Sequence, residues 1–334
     1  MGNFARRFRA ISFNRKKWAT LMPSLVRPLV SSLKRSLKGV PLDELRALIR
    51  TLFSAGEQGA FYIPRPVVNG TQALFQDDAG TEPVTADGDP VGRMIDQSSN
   101  NINAAQSVSS QRPTYNANPD RLSLDKVDDK IIITVPAGGW TGTMVLATDQ
   151  GTASYGIDIP AGDYEIGEKG IDNIYFPGTA LFGAVFRDGA LTAAEKTDAE
   201  SYFVGNGATS SYGDVVSFED YWRGNNKIVE FPLIDTSSGT RFRVAWYESS
   251  LLEVFPANSF DNIKGGQFEL AFIRTNLNQA SIDGILVSLV TSGIATGERI
   301  FDQSGGSAPS VGTGQPAIDT LRSRGWTVAV TGGY

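Results

Sequence analysis

The chain has 334 residues, 41% hydrophobic and 20% charged, which are globular values with room for two or three domains. It contains no Cys and no His, which excludes disulfides, thiolate metal sites and the Ser-His-Asp type of catalysis. The net charge of -6 is unevenly spread: residues 1–50 hold 12 of the 30 basic but only 2 of the 36 acidic residues, leaving 18 against 34 in the rest. A basic arm on an acidic body points to an acidic partner for the arm: nucleic acid, a membrane surface or an acidic protein socket.

In chain order, residues 1–23 interleave Arg6, Arg7, Arg9, Arg15, Lys16 and Lys17 with Phe4, Phe8, Phe13 and Trp18. The recurring cations leave no clean apolar core, so a secretory signal is not expected, and no apolar run reaches a transmembrane span. Leu25, Leu29, Leu33 and Leu37 predict a short amphipathic helix over 24–38. Pro41, followed by Asp43 and Glu44 and then Leu45, Leu48, Ile49 and Leu52, predicts a second helix over 41–53. Residues 1–53 are expected to form a basic helical anchoring arm.

Residues 54–127 are dense in Gly, Asn, Asp, Ser and Pro, with short strand-like pieces at Ala73–Gln76 and Val91–Ile95. From 128 to 213 the pattern becomes β: strands are expected at Lys130–Val135, Thr143–Ala147, Ser154–Ile159 and Ala180–Arg187, set off by Gly-rich turns. A helix from Leu191 to Phe203 follows, with Thr192 as N-cap, Glu195 completing a capping box and Gly205 past its end.

Residues 214–279 carry a repeat. Phe218 and Phe242, Trp222 and Trp246, and Phe231-Pro232 and Phe255-Pro256 are each 24 residues apart. The full turn contains Phe242, Ala245, Trp246, Leu251 and Phe255. The next contains Phe268, Ala271, Phe272 and Leu277, displaced by 26 through an insertion near Asn262–Gly266. A period of this length is the signature of a solenoid whose turns stack apolar side chains on one another. Trp222 and Trp246 repeat with the period and are expected in its core; the alternative is an aromatic platform for sugar rings. Residues 280–334 are expected as a cap of helix Ala280–Leu289, strand Arg299–Phe301, helix Gln315–Arg324 and strand Trp326–Val330.

Two stretches carry a resemblance. LFSAGEQGAFYIPRP (52–66) and ALFQDDAGTEPVTADGDPVGRMIDQSSNN (73–101) resemble a module of tailed-bacteriophage virion proteins and prophage fibres, where it precedes a lectin-like β-sandwich. The Gly-Asn-His segment common there is replaced by Asn100-Asn101-Ile102-Asn103, so no role of that His carries over. The segment from Arg112-Pro113 through Leu191–Glu195 resembles a shortened concanavalin or laminin-G sandwich. FPLIDTSSG (231–239) is similar to degenerate leucine-rich repeats of bacterial surface proteins, and SIDGILVSL through GWTVAV to their C-terminal cap.

The expected fold is therefore mixed and mainly β: an N-terminal helical anchor, a short β-sandwich-like middle, and a small leucine-rich-repeat-like α/β solenoid with a C-terminal cap. The expected function is a structural virion protein, a tail or head fibre, with no enzymatic activity, catalytic residue, metal or cofactor. Arg6, Arg7, Arg9, Arg15, Lys16, Lys17 and Trp18 would anchor it to other virion proteins. Tyr247, Glu248 and Arg274, outside the core pattern, would meet a host-surface receptor, a glycan or outer-membrane component, with the chain as a homotrimer. The alternatives are a polysaccharide-degrading tailspike-type enzyme and an internal virion protein whose arm contacts DNA. Asp125, Asp128 and Asp129 read either as turn formers or as oxygen ligands for calcium, without EF-hand spacing.

Overall fold

A computed structural model of the chain describes residues 42–167, 174 and 178–334. The helix expected over 24–38 and the basic anchoring residues from Arg6 to Trp18 lie outside the described residues. The first described element is α1 (Leu42–Leu52), whose Leu45, Leu48 and Leu52 are buried at helical spacing.

Two antiparallel sheets and a small hairpin are built from fourteen strands, β14 (Ile228–Glu230) and the thirteen that precede it. Those thirteen are β1 (Gly59–Tyr62), β2 (Val67–Val68), β3 (Thr71–Gln72), β4 (Leu74–Phe75), β5 (Arg93–Met94), β6 (Ala104–Ala105), β7 (Thr114–Asn116), β8 (Arg121–Ser123), β9 (Ile131–Val135), β10 (Trp140–Thr148), β11 (Thr152–Ile159), β12 (Gly162–Ile166) and β13 (Ala180–Asp188). One sheet runs β14-β11-β10-β13-β8-β7, with β1 also on β13 and β14 at its edge; the other runs β12-β9-β6-β5-β4. Strands from 59–123 and from 131–188 thus share both sheets, β8 joining β13 in one and β6 joining β9 in the other. The boundary expected at 127/128 does not divide them, because the two- and three-residue strands upstream complete the sheets downstream.

Alternation along the strands sorts the side chains. Tyr62, Trp140, Met144, Tyr155, Ile157, Ala184 and Phe186 join Met94, Ile131, Ile133, Val135 and Ile166 of the other sheet in one core. The opposite face of the larger sheet is also buried, against α2 (Ala193–Gly205): Phe61 stacks on Phe203 with ring centroids 5.7 Å apart. Gly183 permits this approach, since a Cβ there would lie 2.1 Å from the Phe203 ring. Thr192 caps α2 and Glu195 returns the capping box, as expected; the C-cap is Asn206, one residue beyond the expected Gly205. α1, read as the end of the anchoring arm, packs on α2.

The repeats grow from the edge of this sheet. β14 is antiparallel to β11, and Glu230 bridges Val254 of the next turn in parallel. On the other side of each turn, Ser217 bridges Arg241 and Arg241 bridges Gln267, all parallel. The backbone N–H groups of Phe218, Trp222 and Gly224 donate to Arg241, Ala245 and Tyr247; those of Phe242, Trp246 and Glu248 donate to Gln267, Ala271 and Ile273, at 2.7–3.0 Å. Side chains stack in register: Phe218–Phe242–Phe268 at 5.1 and 4.5 Å, Trp222–Trp246–Phe272 at 5.4 and 4.7 Å, and Phe231–Phe255 at 4.9 Å. The buried leucine of the turn is Leu252, 1% exposed, and not the expected Leu251, which is 36% exposed.

The column continues past the repeats. β15 (Gly266–Ile273), α3 (Gln279–Ser292), β16 (Arg299–Ser304), α4 (Gly314–Ser323) and β17 (Thr327–Ala329) form a βαβαβ unit with a parallel sheet in the order β15-β16-β17. Gln267 pairs Ile300 and Ile300 pairs Thr327, so one parallel ribbon has five rungs: Ser217, Arg241, Gln267, Ile300 and Thr327. The segment expected as a separate cap supplies the last two. Opposite the ribbon, α3 takes over from the extended turns. Phe231 N–H bonds the Val254 carbonyl, whereas Phe255 N–H bonds the Ser281 hydroxyl and Phe260 N–H that of Ser288. Two buried serines of a helix thereby satisfy donors that would otherwise need another turn.

Candidate ligand-binding face

Each ribbon turn presents a short stretch whose apolar members point inward and whose polar members point out. Two left-handed positions recur: Asp220, Val244 and Leu270 in one column, and Gly224, Glu248 and Arg274 in the other, extended by Gly305. These bends recur at the same place in successive turns, and the residues between them include the buried Trp222, Trp246 and Phe272.

The three residues expected at a receptor site are brought together. Arg274 donates to the Glu248 carboxylate, and the guanidinium carbon of Arg274 lies 6.0 Å from the centre of the Tyr247 ring. Arg223, which sequence reasoning missed, stands 5.3 Å from the same ring and pairs with Asp220 at 3.5 Å. Arg223 and Tyr247 occupy equivalent positions in adjacent turns, as do Gly224, Glu248 and Arg274, so the 24- and 26-residue spacings place them side by side.

A second group flanks the inward phenylalanines Phe218, Phe242 and Phe268. Arg243 lies between Glu219 and Glu269, 3.1 Å from each; Arg241 reaches the other oxygen of Glu219 at 3.1 Å; Gln267 donates to Glu298 at 2.6 Å. Arg241, Arg243, Gln267, Glu269, Glu298 and Ile300 line an open depression of about 340 Å³. No motif marks these residues. Their signal is position, each lying beside a repeat phenylalanine or on the rung that follows.

Other candidates have structural partners. Trp222 and Trp246 are each 1% exposed within the stack and offer no platform to a sugar. The carboxylate of Asp125 accepts the backbone N–H groups of Val127, Asp128 and Asp129, which hold it below the usual range, and Asp129 accepts the N–H of Asp125, with burial pushing Asp129 up. That is turn chemistry. Glu195 belongs to the capping box and pairs with Arg187 at 3.1 Å; Glu200 accepts from Ser154 at 2.6 Å. Where the sheet meets the first turn, the Tyr155 and Tyr212 hydroxyls lie 3.2 Å apart; burial pushes Tyr155 up to about 12 and Tyr212 well above the usual tyrosine range.

No protein-family model, curated protein or solved structure matches this chain.

Proposed function

We propose that this chain is an attachment protein of a tailed-phage particle. Its basic N-terminal segment fastens it to other virion proteins, and its C-terminal turns form a small leucine-rich-repeat-like solenoid that holds a binding face toward the host surface. The observation that carries this reading is the five-rung ribbon. Its large aromatics are spent on internal stacking, while its outer side chains form an ordered polar and charged strip that includes Tyr247. Such a strip binds by summing modest contacts across rungs, and a homotrimer would multiply them. The resemblance of 52–66 and 73–101 to a phage virion module supplies the setting.

Antibody labelling of intact particles tests the assignment, together with adsorption of particles lacking the protein. Labelled particles and impaired adsorption are expected. Protein found only free in the lysate, with adsorption unchanged on deletion, would refute it.

A further inference from the structure

We propose that the depression on the ribbon is a binding site for an uncharged oligosaccharide. The inference rests on the display reading above and names the ligand class and the residues, which differ from the Tyr247, Glu248 and Arg274 group.

The charge arrangement selects against ions. Arg243 has a carboxylate on each side, Glu219 and Glu269, and Arg241 shares Glu219. An anionic ligand approaching either guanidinium meets these carboxylates, and a cation approaching Glu269 meets Arg243. An anionic ligand gains no counter-charge that is not already engaged, and the one carboxylate of the depression with no ion pair among the described residues, Glu298, is occupied by the Gln267 amide at 2.6 Å. A hydroxyl group behaves differently, because it both donates and accepts. It can accept from a guanidinium N–H and donate to the neighbouring carboxylate without displacing either.

The groups retain that capacity. Arg241, Arg243 and Glu269 side chains are 53%, 48% and 47% exposed although each is ion-paired. A guanidinium carries five N–H donors and a carboxylate about four acceptor sites, so the ion pairs use only part of the set. Neighbouring rungs are ~4.8 Å apart, which repeats the donor and acceptor pair along the depression as hydroxyls repeat along a sugar chain. The mutual ion pairs fix these side chains before a ligand arrives, which lowers the ordering cost of binding. Ion pairs this exposed add little to folding stability, so stability alone does not account for the network. The depression, about 340 Å³, falls in the range of small-molecule sites, ~300–1,000 Å³, and suits a short saccharide.

The test uses the purified full-length chain on an array of neutral oligosaccharides and of oligosaccharides bearing carboxylate, sulfate or phosphate, at low and high salt. Neutral members should be retained with little salt dependence. Glu269→Gln and Arg241→Gln should each weaken retention by roughly tenfold or more, the loss of a hydrogen bond to a charged group, with the melting midpoint unchanged. Retention confined to charged members, no retention of any neutral member, or wild-type retention by both variants would overturn the proposal. Adsorption separates this failure from that of the display reading. Chain-dependent adsorption with a failed array removes only the ligand class, whereas a saccharide bound by a chain that particles do not need removes only the virion role.

Discussion

Replacing Trp246 by alanine should destabilise the protein severely, and replacing it by phenylalanine should not. The indole is 1% exposed, parallel to Trp222 at 5.4 Å and to Phe272 at 4.7 Å, and edge-on to Phe231 at 5.4 Å and Phe255 at 5.1 Å. Truncating a core Trp or Phe to Ala costs ~3–5 kcal/mol. Because four close aromatic contacts are lost together, each worth ~0.5–1.5 kcal/mol beyond area, the upper end, about 5 kcal/mol, is expected. That is a third or more of a typical domain's ~5–15 kcal/mol. Phenylalanine keeps a ring in the stack. It also removes the Trp246 Nε1–H, which is buried with no acceptor among the described residues and costs ~1–3 kcal/mol as it stands. The net loss for Trp246→Phe should be about 1 kcal/mol. Urea unfolding followed by far-UV circular dichroism measures both values; fluorescence would be confounded because the variant removes one of five tryptophans. Equal losses for the two variants would show that the indole N–H has a partner. An alanine variant that unfolds like the wild type but loses ligand binding would place the ring at the surface and refute the stacked-core reading.

Ser281→Ala should cost about 1–3 kcal/mol in the same urea assay, because the buried Phe255 N–H loses its acceptor; a neutral result would mean that the turn extends to another partner. Leu270 is 37% exposed and sits at φ 55, so Leu270→Gly should raise stability by about 1 kcal/mol, and a loss would show that its side chain packs more than it strains. The Asp77 carboxyl is held at about 2, chiefly by the Glu82 N–H and the Thr81 hydroxyl. Its folded pKa lies below the unfolded value near ~3.9, so its contribution is complete above that value and disappears as the pH falls toward 2. Asp77→Asn should therefore lower the melting midpoint at neutral pH and converge with the wild type only as the pH falls through and below ~2, where the wild-type carboxyl is itself protonated; a constant offset across the range would refute the assignment.

The long elements were legible because their signals were complete. β9, β10, β11 and β13 each run at least five residues between Gly-rich turns, and α2 announced itself through Thr192 and Glu195. β4 and β5 fall within the short pieces expected at Ala73–Gln76 and Val91–Ile95, whereas β6 has two residues, too few for alternation to show, and its place is set by partners such as Ile132, which pairs with Ala105. β12 was missed although Tyr164 and Ile166 alternate with Asp163 and Glu165, because Asp163 also completes the preceding turn. Leu251 and Leu252 are chemically identical neighbours, and only the path of the chain decides which is buried. Tyr247, Glu248 and Arg274 could be grouped because they share offsets within a repeat. The Arg241, Arg243, Glu219 and Glu269 network could not, since its pairing runs between turns and forms only once they stack.

The ends of the stack explain why so few repeats suffice. A stacked turn exposes an apolar face and unpaired backbone groups at each end, and solenoids hide them with atypical units. Here the first turn has no free end: β14 is hydrogen-bonded to β11, and Tyr155 packs edge-on to Phe231 at 5.7 Å, so the sandwich core and the aromatic stack are continuous. At the other end the spacing along the ribbon widens from 24 and 26 to 33 and 27 residues as α3 and α4 are accommodated, and Phe301 and then Val328 replace the earlier phenylalanines. Of these only Val328 is smaller than the phenylalanines before it, and it ends the column in the same core as Trp326, which is 4% exposed. With both ends closed by different means, the middle rungs, which carry the charged depression and Tyr247, are held from both sides. The Arg241, Arg243, Glu219 and Glu269 network therefore sits on backbone fixed from both ends, while the side chains of Arg241, Arg243 and Glu269 stay about half exposed.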